Sequence, residues 1–246
     1  PSNSAIPTVN GTCSENGSTI EVRNPTLIGS AACTAGSFTV TTSGVTTNAS
    51  NSLTTRAVDA AGNFSADSTT VAYVHDNTAP SMGAVSDGLG ADVAWQTTAS
   101  SLSGNWPAAT DTNGIGSYDR NISTATTCTG DAAATQNIAN VTNSTFNSLM
   151  LTNGTLYYNC VRATDAAGNI SAWTFSNGVT VDTSIPSTVV SGPANGAKLA
   201  ALASISGTAS DSVSGVQSVA ITIATGGNYW NGSLWTAPVT WLATTG

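Results

Sequence analysis

One eleven-residue phrase occurs twice in the chain. Arg56-Ala57-Val58-Asp59-Ala60-Ala61-Gly62-Asn63-Phe64-Ser65-Ala66 returns as Arg162-Ala163-Thr164-Asp165-Ala166-Ala167-Gly168-Asn169-Ile170-Ser171-Ala172, an offset of 106 residues. A second phrase keeps the same offset: Asp76-Asn77-Thr78-Ala79-Pro80 and Asp182-Thr183-Ser184-Ile185-Pro186. The two Asp residues of each copy are therefore 17 positions apart. A fixed distance between a turn and a Pro-ended segment describes one structural unit used at least twice. A period near 100 residues is too long for a solenoid and fits whole domains in tandem.

The turn itself has a mechanism. Asp59 and Asp165 can accept backbone N–H bonds within it. Gly62 and Gly168 supply the positive φ of a tight hairpin, and Asn63 and Asn169 tolerate left-handed geometry. Around the turns, apolar residues alternate with Thr and Ser, as in strands with one wet face. Expected strands are Pro7–Cys13, Thr19–Val22, Ser37–Thr41, Asn51–Val58 and Thr69–Val74, with Glu15-Asn16-Gly17 as a turn. No segment holds a 3.6-residue apolar period, so the expected fold is all-β without helix.

Only 7% of the 246 residues are charged, yet 40% are hydrophobic, which is not a composition of disorder. Thirteen acidic residues face five basic ones. That balance leaves no basic stripe for nucleic acid and disfavours anionic lipid. No apolar run is long enough to span a membrane. Residue 1 is Pro and no signal peptide is visible, so the chain reads as a mature or excised piece. The four cysteines fall two to a repeat, which points to Cys13–Cys33 and Cys128–Cys160 disulfides in an oxidising compartment. Free buried thiols are the alternative. His75 is the single histidine, late in a closing strand, and reads as a partly exposed strand residue. There is no His-based triad, phosphate loop or metal-spaced Cys pair, so an enzyme is not expected.

The Arg56–Pro80 region resembles the end of a bacterial Ig-like domain of large secreted adhesins. Ser101–Asp111, Gly114–Tyr118 and Leu151–Ala163 resemble a bacterial fibronectin type III module. That resemblance implies that Trp106 is a core Trp and that Leu151 and Tyr157 form a tyrosine corner. Most such modules lack the Cys128–Cys160 pair. Residues 187–246 resemble the first half of another Ig-like domain, with Ile205–Asp211, Val216–Ile223 and Tyr229–Trp235 as its telling stretches. There Asn231-Gly232 signals a two-residue hairpin. The expected domains are 1–77, 78–183 and a partial 184–246, arranged as an extended rod of sandwiches.

The functional expectation is a non-catalytic stalk segment of a secreted bacterial cell-surface adhesin. Two alternatives stand beside it. One is a filament subunit whose incomplete last domain is completed by strand addition from another copy. The other is a glycan-binding module using Tyr229, Trp230, Trp235 and Trp241. Its partners would be a protein or glycan on a cell surface, or copies of itself. Calcium is expected at the linkers. In an Ig-like sandwich, the entering chain, the loop after the second strand and the last hairpin share one pole. Asp76, Asp111 and Asp165 would then converge, and Asp182 and Asp211 would repeat the scheme.

Overall fold

In the computed structural model, which describes residues 1–244, all regular structure is β and no helix occurs. The first sandwich holds β1 (Thr8–Thr12), β2 (Thr19–Asn24), β3 (Thr26–Ala32), β4 (Ser37–Thr41), β5 (Ala49–Val58) and β6 (Val71–His75). One sheet runs β3-β2-β5-β6 and the other is the pair β1-β4. Alternation places Ile20 and Val22 of β2 inward, with Phe38 and Val40 of β4, and they form one core with Ile28, Cys33 and Leu53. Strand β3 was not expected. It buries only Ile28, so its sequence carries no period-2 signal.

The second region holds β7 (Ser86–Asp87), β8 (Trp95–Gln96), β9 (Ser101–Asn105), β10 (Ile115–Ser123), β11 (Ala133–Asn137), β12 (Asn143–Asn147), β13 (Leu156–Asp165), β14 (Thr174–Phe175) and β15 (Val179–Val181). Strand β10 lies between β11 and β13, β14 pairs with β13, and β9 lies between β12 and β7. Strand β15 pairs in parallel with β8. Trp106 and Tyr118 pack at 5.8 Å in a core with Val85, Ala109, Val161 and Ala163. Leu151 and Tyr157 are both buried, as the implied tyrosine corner needs. This core shares no residue with the first.

The third region holds β16 (Ser187–Gly192), β17 (Ser206–Ser210), β18 (Ala220–Ile221), β19 (Ala224–Thr225), β20 (Asn228–Trp230), β21 (Trp235–Thr236) and β22 (Leu242–Ala243). Its sheets are β16-β17, β18-β22 and β19-β20-β21. Among the described residues, none after Asp182 is fully buried. The hairpin at Asn231-Gly232 is longer than expected. Asn231 N–H bonds Leu234 O, and Asn231 Oδ1 accepts from Ser233 and Leu234 N–H, so the side chain builds a four-residue loop.

By contact density the chain divides into two compact units. The first comprises Pro1–Val93, Leu102–Asn147 and Tyr157–Gly178, and contains both hydrophobic cores. The second comprises Ala94–Ser101, Ser148–Leu156 and the chain from Val179 onward.

Both disulfides form, Cys13–Cys33 and Cys128–Cys160. The repeated phrase folds the same way twice. Gly62 and Gly168 take φ of +87° and +93°, as the turn demands. Asn63 and Asn169 do not use the left-handed geometry they tolerate. Each returns its Nδ2 to the second oxygen of its own Asp. The phrase's serine has a role too. Ser65 Oγ accepts Ala57 N–H and Ser171 Oγ accepts Ala163 N–H, while each serine N–H bonds the same residue's carbonyl. A hydroxyl thus stands in for a strand partner at a strand edge.

Candidate cation site

The second copy of the turn meets the first linker. Asp165 Oδ1 accepts Ala167 and Asn169 N–H, both at 2.8 Å, and Oδ2 accepts Asn169 Nδ2 at 2.7 Å. Asn169 Nδ2 also donates to the Asp76 carbonyl at 2.9 Å. Asp76 in turn accepts Thr78 N–H on Oδ1 and Asn113 Nδ2 on Oδ2. Asp111 Oδ1 accepts Asn113 N–H at 2.7 Å. Linker, loop and hairpin therefore meet, and one oxygen each of Asp76, Asp111 and Asp165 lies within 4.8 Å of the others. Asp76 and Asp165 are buried and Asp111 is half-buried. Burial pushes the Asp165 carboxyl upward, but the donors from Asn169, Ala167 and Gly168 outweigh it and hold it below the usual range.

Asn113 and Asn169 were not singled out from sequence as site residues. Asn113 sits beside Gly114, its one sequence signal, whereas Asn169 repeats Asn63 in the duplicated phrase. In the first copy Asp59 and Asn63 repeat the internal bonds, but the turn is exposed. The contrast gives an expected result. Asn169→Ala removes bonds to both Asp165 and Asp76 and should cost about 1 kcal/mol or more. Asn63→Ala, with a single side-chain bond to a solvated Asp59, should lower the melting point less. Equal shifts in thermal melts of the two variants would show that the Asp76 contact contributes nothing.

Among the described residues, no arginine or lysine forms an ion pair with the cluster. Arg23 and Arg56 pair with Glu21, Arg162 pairs with Asp119, and Arg120 is buried in the second core. Lys198 lies in the third region. Three charges about 5 Å apart repel by roughly 3 kcal/mol per pair at an effective dielectric near 20. The separation itself suits calcium, whose oxygen ligands sit at about 2.3–2.6 Å, so that two on opposite sides are nearly 5 Å apart.

At the second linker the scheme is only partly repeated. Asp182 Oδ1 accepts Ser184 N–H and Oγ–H, and Oδ2 accepts Ser214 N–H. These donors lower its pKa to about 2, Ser184 contributing most. Asp211 Oδ1 accepts three N–H groups, from Val213, Ser214 and Gly215, and its buried Oδ2 has no protein donor. Among the described residues no third carboxylate joins this pair.

Other sequence-predicted sites fall as follows. His75 is buried, not partly exposed. Its Nδ1 accepts Asn48 N–H at 2.9 Å, and Ser2 pairs with it in parallel, so the entering chain covers it. Trp230 and Trp235 pack at 5.6 Å with tilted rings. Tyr229 and Trp230 are half-buried, while Trp235 and Trp241 are exposed.

No protein-family model matches the chain. It is 36% identical over 152 residues to exoglucanase B of Cellulomonas fimi, a match covering 59% of this chain and 13% of that enzyme. It is 36% identical over 155 residues to chitinase A1 of Niallia circulans, covering 61% and 20%. The chain thus spans a fifth or less of either relative's length. Among solved structures it is similar to the FN1–FN3 domains of chicken CNTN1, at 14% identity and TM-score 0.41, over 71% of this chain and 60% of that one. It is also similar to a run of titin domains, at 16% identity and TM-score 0.46, over 72% and 60%.

Proposed function

We propose that the chain is a non-catalytic spacer in a secreted multidomain protein, and that calcium held by Asp76, Asp111 and Asp165 stiffens its first joint. The observation that carries this is the convergence of three carboxylates from linker, loop and hairpin, with no arginine or lysine ion-paired to them among the described residues. A spacer must keep its modules in a defined relation, and an ion bridging a linker to the next sandwich supplies that. The two disulfides fit an oxidising compartment. The matched relatives are, by their names, enzymes acting on polysaccharides, and the matched stretch is a minor part of each. The parent protein on this reading is a surface adhesin or an enzyme of that kind, with its binding or catalytic parts elsewhere. A second reading, glycan binding by the last region, is favoured by the exposure of Trp235 and Trp241. It requires that Trp235→Ala and Trp241→Ala abolish retention on the glycan.

Extracellular calcium modules work with Kd values of about 0.1–1 mM. At roughly 100 Kd a native-state ligand adds about 2.7 kcal/mol. Calcium at about 10 mM should therefore raise the melting point over a chelated sample by several degrees, and Asp165→Asn should erase the difference. Identical melts with calcium and with chelator would end the calcium reading and leave the joint held by its amide bonds.

A further inference from the structure

Three segments share one five-residue pattern, apolar–polar–Gly–polar–apolar: Val9-Asn10-Gly11-Thr12-Cys13, Leu102-Ser103-Gly104-Asn105-Trp106 and Ile205-Ser206-Gly207-Thr208-Ala209. They overlap β1, β9 and β17. In the second, an antiparallel strand lies along the outer edge: Ser86 and Asp87 of β7 face Asn105 and Gly104, and Gly88 N–H bonds Ser103 O at 3.0 Å. In the third, Val189 and Val190 of β16 face Thr208 and Gly207. There the glycine is required by close approach, since a Cβ on Gly207 would stand 2.3 Å from the Val189 carbonyl oxygen. Strands β1 and β17 each have a single partner, β4 and β16; of the three, β1 is the one that no preceding strand pairs with.

The ladder to β4 sends Cys13 N–H to Gly36 O. By alternation the N–H and C=O groups of Asn10 and Thr12 point to the free edge, as those of Ser103 point to β7. Beside that edge runs a cavity of about 430 Å³, with Phe38, Leu53, Val71 and Tyr73 on its other walls. It adjoins a second of about 620 Å³ through the shared Thr12, Phe38, Thr55 and Ser68. No charged residue lines the first cavity, and Val71 is 62% exposed at its mouth.

We propose that this groove accepts one extended, uncharged polypeptide strand, antiparallel to β1, supplied from outside residues 1–246. Backbone groups of β1 would pair with it, and alternate small apolar side chains would enter between Phe38 and Val71. The donor on this proposal is a strand of the kind of β7 and β16, which within this chain are already paired with β9 and β17.

The test uses the full chain and a capped synthetic hexapeptide with the β16 sequence, Ser-Thr-Val-Val-Ser-Gly. It should bind saturably by calorimetry and raise the melting point. Asn10→Pro removes one outward N–H at an edge where proline is tolerated, and should weaken binding roughly three- to tenfold. Val71→Asp, on the opposite wall, puts a charge in the groove and should abolish binding even if Asn10→Pro fails to fold. Absence of saturable binding to about millimolar peptide would overturn the proposal. So would binding that neither substitution alters. A concentration-dependent dimer that Asn10→Pro dissolves would also overturn it, because the donor would then be a second copy.

Discussion

Arg120→Ala should destabilise the second sandwich by about 3–5 kcal/mol, a third or more of a typical domain's stability. Arg120 is fully buried in β10. Its Nη1 donates to Ser144 O and Oγ, its Nη2 to Leu102 O, and both Nε and Nη2 to Asn159 Oδ1. Its guanidinium lies 4.8 Å from the Phe146 ring centre. Asn159 Nδ2 passes the network on to Asp87 Oδ1 at 2.7 Å, and Asp87 also accepts Ser176 Oγ–H and Gly178 N–H. Opposite charges are thus joined through an amide inside the core. Burial depresses the Arg120 pKa to about 9 and pushes Asp87 upward.

Truncating the arginine orphans the acceptors and leaves Asp87 without its cation. The loss has a definite pH dependence. A carboxyl whose folded pKa is raised binds its proton more tightly in the native state, so stability falls as pH rises from the unfolded value through the folded one. Removing Arg120 raises the Asp87 value further. The variant should accordingly lose more at pH 7 than at pH 4, and the double variant Arg120→Met with Asp87→Asn should recover part of the loss at pH 7. Denaturant melts at the two pH values check this. A loss under 1 kcal/mol at pH 7 would mean that water, not the protein, solvates the pair.

This network was invisible in the sequence. Arg120, Asp87 and Asn159 lie far apart along the chain, and no local pattern marks a polar residue as buried when the strand around it alternates normally. The all-β class was legible because Thr/Ser alternation and Gly-bearing turns are local. So were the hairpin carboxylates, because the phrase repeats. Convergence of Asp76 and Asp111 on Asp165 followed only from knowing which ends of a sandwich share a pole. Strand β3 and the burial of His75 were missed for one reason. Both depend on what packs against them, Val40 and Ser2 respectively, and not on their own neighbours. The free edge of β1 was equally silent, since its sequence matches two strands whose outer edges are paired.

Replacing Cys128 and Cys160 by alanine should cost more than replacing Cys13 and Cys33. Their loops are closed over 32 and 20 residues, and by chain entropy alone either link contributes about 3–4 kcal/mol. Entropy therefore does not separate them; packing does. Cys160 is fully buried in β13 between β10 and β14, and Cys128 is buried with it. Cys128 also carries the carbonyl that accepts Asn121 Nδ2, at a left-handed φ of 56°. Alanines there leave a void in the sheet centre and free the Cys128 loop. Cys33 is buried in the first core, but Cys13 is only half-buried at the end of β1, beside the open groove, so that end of the link can relax. The two sandwiches have separate cores, so each pair should move chiefly its own transition in a denaturant melt. Loss of the Cys13–Cys33 link producing the larger shift would mean that the edge of β1 depends on that bridge more than the second sheet depends on Cys160.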